Sequence, residues 1–226
     1  LGIRGTVSYL IEAIMPEKKG KIMGLLSRHA GLSRAPKVVV IGGGTGLNSI
    51  LSGLKRYTNN ITAIVSVSDE GGSSKKLRYD FGMLPPGDVR NCIVALSESG
   101  PMMAKLLEYR FEKGEGLKGH SFGNLLITAL TKITGSFTKA IKETGQILAM
   151  RGKVLPVTMD QTTLGAELEN GKRIEKEPNV EEHKTKYRSE VKRLFLKPKD
   201  AKAYPGSLKE IKKADIIVLG PGSLYT

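Results

Sequence analysis

The apolar positions change period several times along the chain, and the changes mark the elements. Lys37–Ile41 reads KVVVI, a β-branched run suited to a strand buried on both faces. Gly42–Gly46 interrupts it. Leu47, Ile50, Leu51 and Leu54 then recur at i, i+3, i+4 and i+7, which predicts an amphipathic helix ending near Tyr57. Asn59–Asn60 is a turn, and Ile61–Ser68 is a second apolar run. A strand, helix and strand in about 30 residues make a βαβ unit with parallel strands.

Farther along, the chain is glycine- and serine-rich after Asp69, then polar, then Pro85–Pro86–Gly87. A helix is predicted from about Asp88, with Val89, Cys92, Ile93 and Leu96 on one face. Pro101–Phe111 and Ser136–Met150 also read as helices. Ser121–Ile133 is predicted to turn Leu125, Leu126, Ala129, Leu130 and Ile133 inward. Lys153–Thr158 is a strand. Leu164–Glu175 alternates around Asn170–Gly171, a two-residue hairpin signal, and residues 160–205 read as a β-rich excursion. The α/β texture returns with a helix at Ser207–Lys213 and the strand DIIVL at Asp215–Leu219. The expected fold is α/β: a Rossmann-like, mostly parallel sheet with flanking helices over 36–226, plus a small β-rich insertion. Residues 1–35 form an arm with helical stretches.

Composition narrows the chemistry. The single cysteine, Cys92, excludes an internal disulfide, and His29, His120 and His183 have no metal-ligand spacing. Of the net charge of +14, residues 184–213 carry eleven Lys/Arg against three acids, and residues 1–37 carry seven against two. This excess lies away from the glycine-rich motifs, so it reads as solvated or interaction faces and no nucleic-acid partner is expected. No stretch approaches the ~18 apolar residues of a membrane helix. The chain starts at Leu1 and stops at Thr226 after a glycine-rich loop, and both ends are expected to be cuts in a longer protein.

Five motifs carry candidate chemistry. Gly42, Gly43, Gly44, Thr45 and Gly46 join a strand to a helix. Glycine lets a ligand approach the main chain, and the helix start offers free N–H groups and a positive dipole end to a phosphate. No Gly-Lys-Ser/Thr follows, and from Gly44 the G-x-G-x-x-G pattern fails at Ser49. Asp69, at the second strand's end, suits ribose hydroxyls or a magnesium ion, or else a helix cap; Gly71, Gly72, Ser73 and Ser74 suit phosphate. Gly87–Asp88–Val89–Arg90–Asn91 opens a helix; Asp88 is placed to cap it, while a cation at Arg90 in the first turn favours a nearby anion. His120–Ser121–Phe122–Gly123–Asn124 fits the hydrolase elbow G-x-S-x-G, but polar Glu112–Gly119 cannot be the buried strand that elbow needs. Ser121 is therefore read as a helix cap, with His120 and Asn124 toward the cleft. Gly220, Pro221, Gly222 and Ser223 follow the last strand, at a carboxyl end that can face the same cleft.

In this order the runs IGGGTGL, DEGGSS, LPPGDVRN, YRF, GHSFGN and ADIIVLGPGSLYT resemble the bacterial gluconeogenesis factor family, within the superfamily of 2-phospho-L-lactate transferase. The resemblance covers about 36–226. It implies a cleft for UDP-sugars and a role in cell shape or wall synthesis on non-glycolytic carbon. For the transferase relatives it implies moving a phospholactyl group from a nucleotide diphosphate carrier to a deazaflavin. By position it places Gly43, Gly44, Thr45, Asp69, Ser73, Asp88, Asn91, His120, Asn124 and Gly222 along the cleft. The chain departs from the family pattern at Glu70, where Asp is usual, at Lys75, where Gly is usual, and at Lys176–Glu177. Three readings stay open. The first is a cytoplasmic UDP-sugar-binding regulator without catalysis, working through a protein partner and as a homo-oligomer. The second is a transferase on a nucleotide diphosphate donor, with Asp69 or Asp88 holding magnesium and His120 as acid–base. The third is an NAD-binding protein.

Overall fold

The computed structural model describes Glu17 and residues 31–32, 34–68, 71–174 and 188–221. The predicted arm lies almost wholly outside these residues, as does 175–187 of the β-rich excursion. Four parallel strands form the main sheet: β1 (Val38–Gly42), β2 (Ile61–Val65), β3 (Lys153–Pro156) and β7 (Ile216–Leu219). Their order is β3-β2-β1-β7. The chain moves outward from β1 through β2 to β3, then returns to the other side of β1. The sheet therefore reverses direction between β1 and β7, and the loops after both strands flank that point. Ligands bind doubly wound sheets in this crevice.

Seven helices complete the described residues: α1 (Gly44–Leu54), α2 (Gly72–Phe81), α3 (Gly87–Leu96), α4 (Pro101–Glu108), α5 (Phe122–Thr134), α6 (Phe137–Ile147) and α7 (Pro205–Lys212). The core is aliphatic. Val38, Val40, Ile61, Ala63 and Val65 pack with Leu47, Leu51, Val89, Ile93, Leu96, Ile127 and Ile141. The parallel strands β1 and β2 are buried on both faces, which is why they read as unbroken apolar runs instead of alternating ones.

The helices α1, α3 and α6 end at one polar knot. Lys55 Nζ donates to Ser97 O (2.6 Å), Arg151 Nη1 to Lys55 O (3.1 Å), the Arg151 amide to Leu96 O (2.9 Å) and Ser97 Oγ to Leu148 O (2.8 Å). Cations thus meet the negative ends of three helix dipoles. Their positive ends are left for the opposite edge of the sheet.

Three sequence expectations change here. The polar stretch after Asp69 holds α2, which buries little beyond Ser73, Ser74, Leu77 and Arg78 and so has a weak apolar signature. In α5 the inward face is Gly123, Asn124, Ile127 and Thr128, while Ile133 is 78% exposed, Ala129 is exposed, and Leu125, Leu126 and Leu130 are half-buried. Asn124 and Thr128 satisfy their polar atoms inside the fold, with Thr128 Oγ1 donating to Asn124 O at 2.8 Å, so hydrophobicity alone rotates this helix wrongly. The excursion contains an antiparallel sheet of β4 (Thr163–Leu168), β5 (Arg173–Ile174) and β6 (Val191–Lys197), in the order β5-β4-β6. Its hairpin loop has three residues, 169–171, closed by bonds from Leu168 N to Lys172 O and from Gly171 N to Leu168 O. Gly171 has φ +80°, the left-handed position that such a loop requires of its last residue.

Candidate functional site

The carboxyl edge of the sheet collects residues of all five motifs. After β1 the chain turns into α1 at Gly43, with no side-chain cap and no acid in the first turn. α2 begins in the same way after Gly71. Two helix starts without a capping side chain of their own therefore turn positive dipole ends to neighbouring positions on the sheet edge. Thr45 is exposed in the first turn of α1.

Close packing explains part of the glycine content. A Cβ on Gly44 would lie 2.4 Å from Asp88 Cα and 2.6 Å from Asp88 O, and one on Gly46 would lie 1.9 Å from Pro221 O. The loop after β1 is thus wedged between the start of α3 and the loop after β7, where the Gly220 amide also donates to Ile41 O (2.8 Å). Gly43 is different: the nearest atom to its Cβ position is Asp88 Oδ2 at 3.8 Å. That leaves Gly43 as the loop glycine with room for a ligand on the main chain, beside a carboxylate. Asp88 itself is the second residue of α3, which starts at Gly87 after Pro86, so it favours the helix dipole without acting as the cap expected from sequence.

The buried half of the site is a hydrogen-bonded chain across α2, α3 and α5. Ser73 Oγ and His120 Nδ1 are 2.9 Å apart, and Asn124 Nδ2 donates to Ser73 Oγ at 3.2 Å. With a proton on Nδ1, the Ser73 hydroxyl is released toward the cleft; with Nδ1 bare, Ser73 donates to it. Asn124 is 2% exposed, and its Oδ1 has no hydrogen-bond partner among the described residues. Such a buried orphan acceptor costs free energy unless a ligand or water meets it. Ser121 caps α5, accepting from the Asn124 amide at 3.3 Å, and Arg90 Nη1 donates to the same oxygen at 2.5 Å. Arg90 Nη2 donates to Asn91 Oδ1 at 2.6 Å. The guanidinium that looked like an anion binder in sequence therefore ties α3 to α5. Residues 112–119 before Ser121 are turns without a strand, so the elbow geometry is not built.

Burial holds the His120 imidazole below its ordinary pKa; the Lys76 charge acts the same way, against Asp80, with Arg110 adding to the lowering. His120 is therefore neutral at neutral pH. The unfolded chain binds the histidine proton more readily, so folding should gain stability as pH rises toward 6.5 and lose it as pH falls below. Urea unfolding between pH 5 and 7.5 checks this: the gain should vanish in His120→Asn. The Cys92 thiol is pushed up to about 12 by burial and by Asp88, which removes it from nucleophilic roles.

Asp69, Gly222 and Ser223 lie outside the described residues. Among the described residues no group of three or more His, Cys, Asp or Glu side chains is arranged to hold a metal ion. Two features escaped the sequence reading. Lys76 and Arg110 bring positive charge near His120. Ser66 and Ser68 place paired hydroxyls at the end of β2, signalled only by an S-V-S alternation closing an apolar strand. Among the described residues no helix is long and apolar enough to cross a membrane.

A profile of the family described as 2-phospho-L-lactate transferase CofD matches residues 38–226. A protein of Thermoanaerobacterium thermosulfurigenes is 56% identical over 191 residues, 84% of this chain and 59% of that one. The gluconeogenesis factor of Bacillus subtilis (strain 168) is 45% identical over 195 residues, 86% of this chain and 60% of that one. A crystal structure of a Bacillus halodurans protein superposes with a TM-score of 0.78 at 49% identity, covering 85% of this chain and 61% of that one. The chain spans about half the length of the curated relatives it matches. On this similarity and the shared sheet, the chain belongs to the 2-phospho-L-lactate transferase CofD family, alongside its gluconeogenesis factors.

Proposed function

We propose that this domain binds a UDP-sugar at the carboxyl edge of its sheet and acts as a cytoplasmic regulator linking carbon metabolism to cell-wall synthesis and cell shape. The observation that carries the reading is the meeting of two uncapped helix starts, the open Gly43 and the Ser73–His120–Asn124 chain at the point where strand order reverses. Helix-start N–H groups and dipole ends suit a diphosphate, and the neutral polar chain suits sugar hydroxyls. The relatives' name, gluconeogenesis factor, supports the link to carbon metabolism. A regulator without turnover needs a protein partner, or a second copy, to read the loaded state. Nucleic acid has no part in this reading. Titration calorimetry with UDP-N-acetylglucosamine should give saturable heat with a micromolar Kd. No heat at millimolar ligand would sink the proposal, and NAD in place of the UDP-sugar separates the dinucleotide reading from it.

One observation favours a second reading, a transferase on a nucleotide diphosphate donor. A neutral His120 beside the Ser73 hydroxyl can take up a proton in the cleft. A magnesium ion would offset diphosphate charge, with Asp88 and Asp69 as its candidate ligands. Metal-dependent cleavage of a nucleotide diphosphate donor, lost in Asp69→Asn, would support this reading. Absence of turnover across a broad donor screen would count against it.

A further inference from the structure

We propose that the Ser66–Ser68 hydroxyl pair reads the ribose cis-diol of the bound nucleotide, an inference that rests on the nucleotide reading above. Ser66 and Ser68 are two residues apart in the segment after β2; their hydroxyls meet on one side, while Val67 between them is 1% exposed in the core. The Ser66 amide donates to Gly42 O at 3.0 Å. Pairing with β1 thus continues one residue past Val65 and sets Ser66 beside the start of the loop that holds Gly43. Both serines are half-buried, at the carboxyl end of the strand next to the switch point.

The two Oγ atoms are 2.9 Å apart and either can donate to the other. Whichever donates, the accepting hydroxyl keeps a proton of its own, and among the described residues no further protein partner takes it. The pair is therefore a neutral unit with a donor and acceptors on adjacent oxygens. A cis-diol has the same character, and the two pairs can close a ring of four hydroxyls. A phosphate, which only accepts, is better served by the helix starts. In a nucleoside diphosphate the ribose is joined directly to the phosphates, so a diol reader belongs on the strand beside the phosphate loop. In doubly wound sheets the end of that second strand is where ribose hydroxyls are bound.

Calorimetry with UDP and 2′-deoxy-UDP tests the proposal. The unmodified chain should bind UDP about three- to tenfold more tightly, the worth of one net hydrogen bond. The double variant Ser66→Ala/Ser68→Ala should still bind UDP, with the ratio reduced to about one. Ser66→Thr, which keeps a hydroxyl, should keep the ratio. Ser68→Ala alone, at a position with no ladder bond to β1, serves if the double variant fails to fold. An unmodified chain that binds both ligands equally, or a folded variant that still distinguishes them, overturns the proposal and leaves the UDP-sugar reading standing. Loss of UDP binding in a folded variant also overturns it, since the pair would then support the loop and read no diol. No UDP binding by the unmodified chain overturns both.

Discussion

Gly44→Ala is expected to lower stability by about 3 kcal/mol and to abolish nucleotide binding. The cause is space. The new Cβ would fall 2.4 Å from Asp88 Cα, 2.6 Å from Asp88 O and 2.7 Å from Asp88 Cβ. Those atoms belong to the first turn of α3, which cannot move without shifting Val89, Cys92 and Ile93 in the core. α1 would have to back away from α3, and the Gly43 turn would move with it. In a domain of this size the melting temperature should fall by about 10 °C. Gly53 supplies the control. It lies in the same helix, and nothing stands within 4 Å of its Cβ position. Gly53→Ala should stabilise by about 0.5–1 kcal/mol through the lost flexibility of the unfolded chain. Equal effects at the two positions in thermal unfolding would defeat the packing account. Gly43→Ala, with only an ordinary contact to Asp88, should leave stability nearly unchanged and weaken ligand binding.

Asn124→Asp should have the second-largest effect. The substitution keeps shape and adds charge. Asn124 is 2% exposed, its Oδ1 has no partner among the described residues, and its Nδ2 donor to Ser73 would be lost. A buried carboxylate with the Ser73 hydroxyl as its one neighbouring side-chain donor among the described residues still costs several kcal/mol, and a loss of about 3 kcal/mol is expected near pH 8. Burial would raise the pKa of the new acid above its unfolded value. The folded state would then hold the proton more tightly, so stability should fall as pH rises through that window and recover in acid. This slope is opposite to the one expected from His120 in the unmodified chain, which makes the two separable in one pH series. A negative charge between Ser73 and the start of α5 would also repel a diphosphate, so UDP-sugar affinity should drop by more than about tenfold. An affinity equal to that of the unmodified chain would show that the ligand does not lie against Asn124.

Much of the architecture was legible because its signals are local. The β-branched runs Val38–Ile41 and Ile61–Val65 suit strands buried on both faces, and the spacing of Leu47, Ile50, Leu51 and Leu54 suits an amphipathic helix between them. α2 was invisible for a matching reason: its ten residues bury polar groups, and Ser73, Ser74 and Arg78 carry no hydrophobic period. The face of α5 was misread because Asn124 and Thr128 are buried by what they bond to, a property of their neighbours.

For the candidate site, sequence alone determined which residue types were on offer: glycines at strand ends, serines and an asparagine at helix starts, a histidine beside them. Each choice follows from rules that act within one turn of chain. Only the tertiary structure decided their roles. It packed Gly44 and Gly46 against Asp88 and Pro221 and left Gly43 open, turned Arg90 onto Ser121 and Asn91, and joined Ser73 to His120 and Asn124 across 47 and 51 residues. A side chain's role depends on which atoms lie within a few ångströms, and contacts between distant segments are set by how helices and strands pack, which no local pattern records.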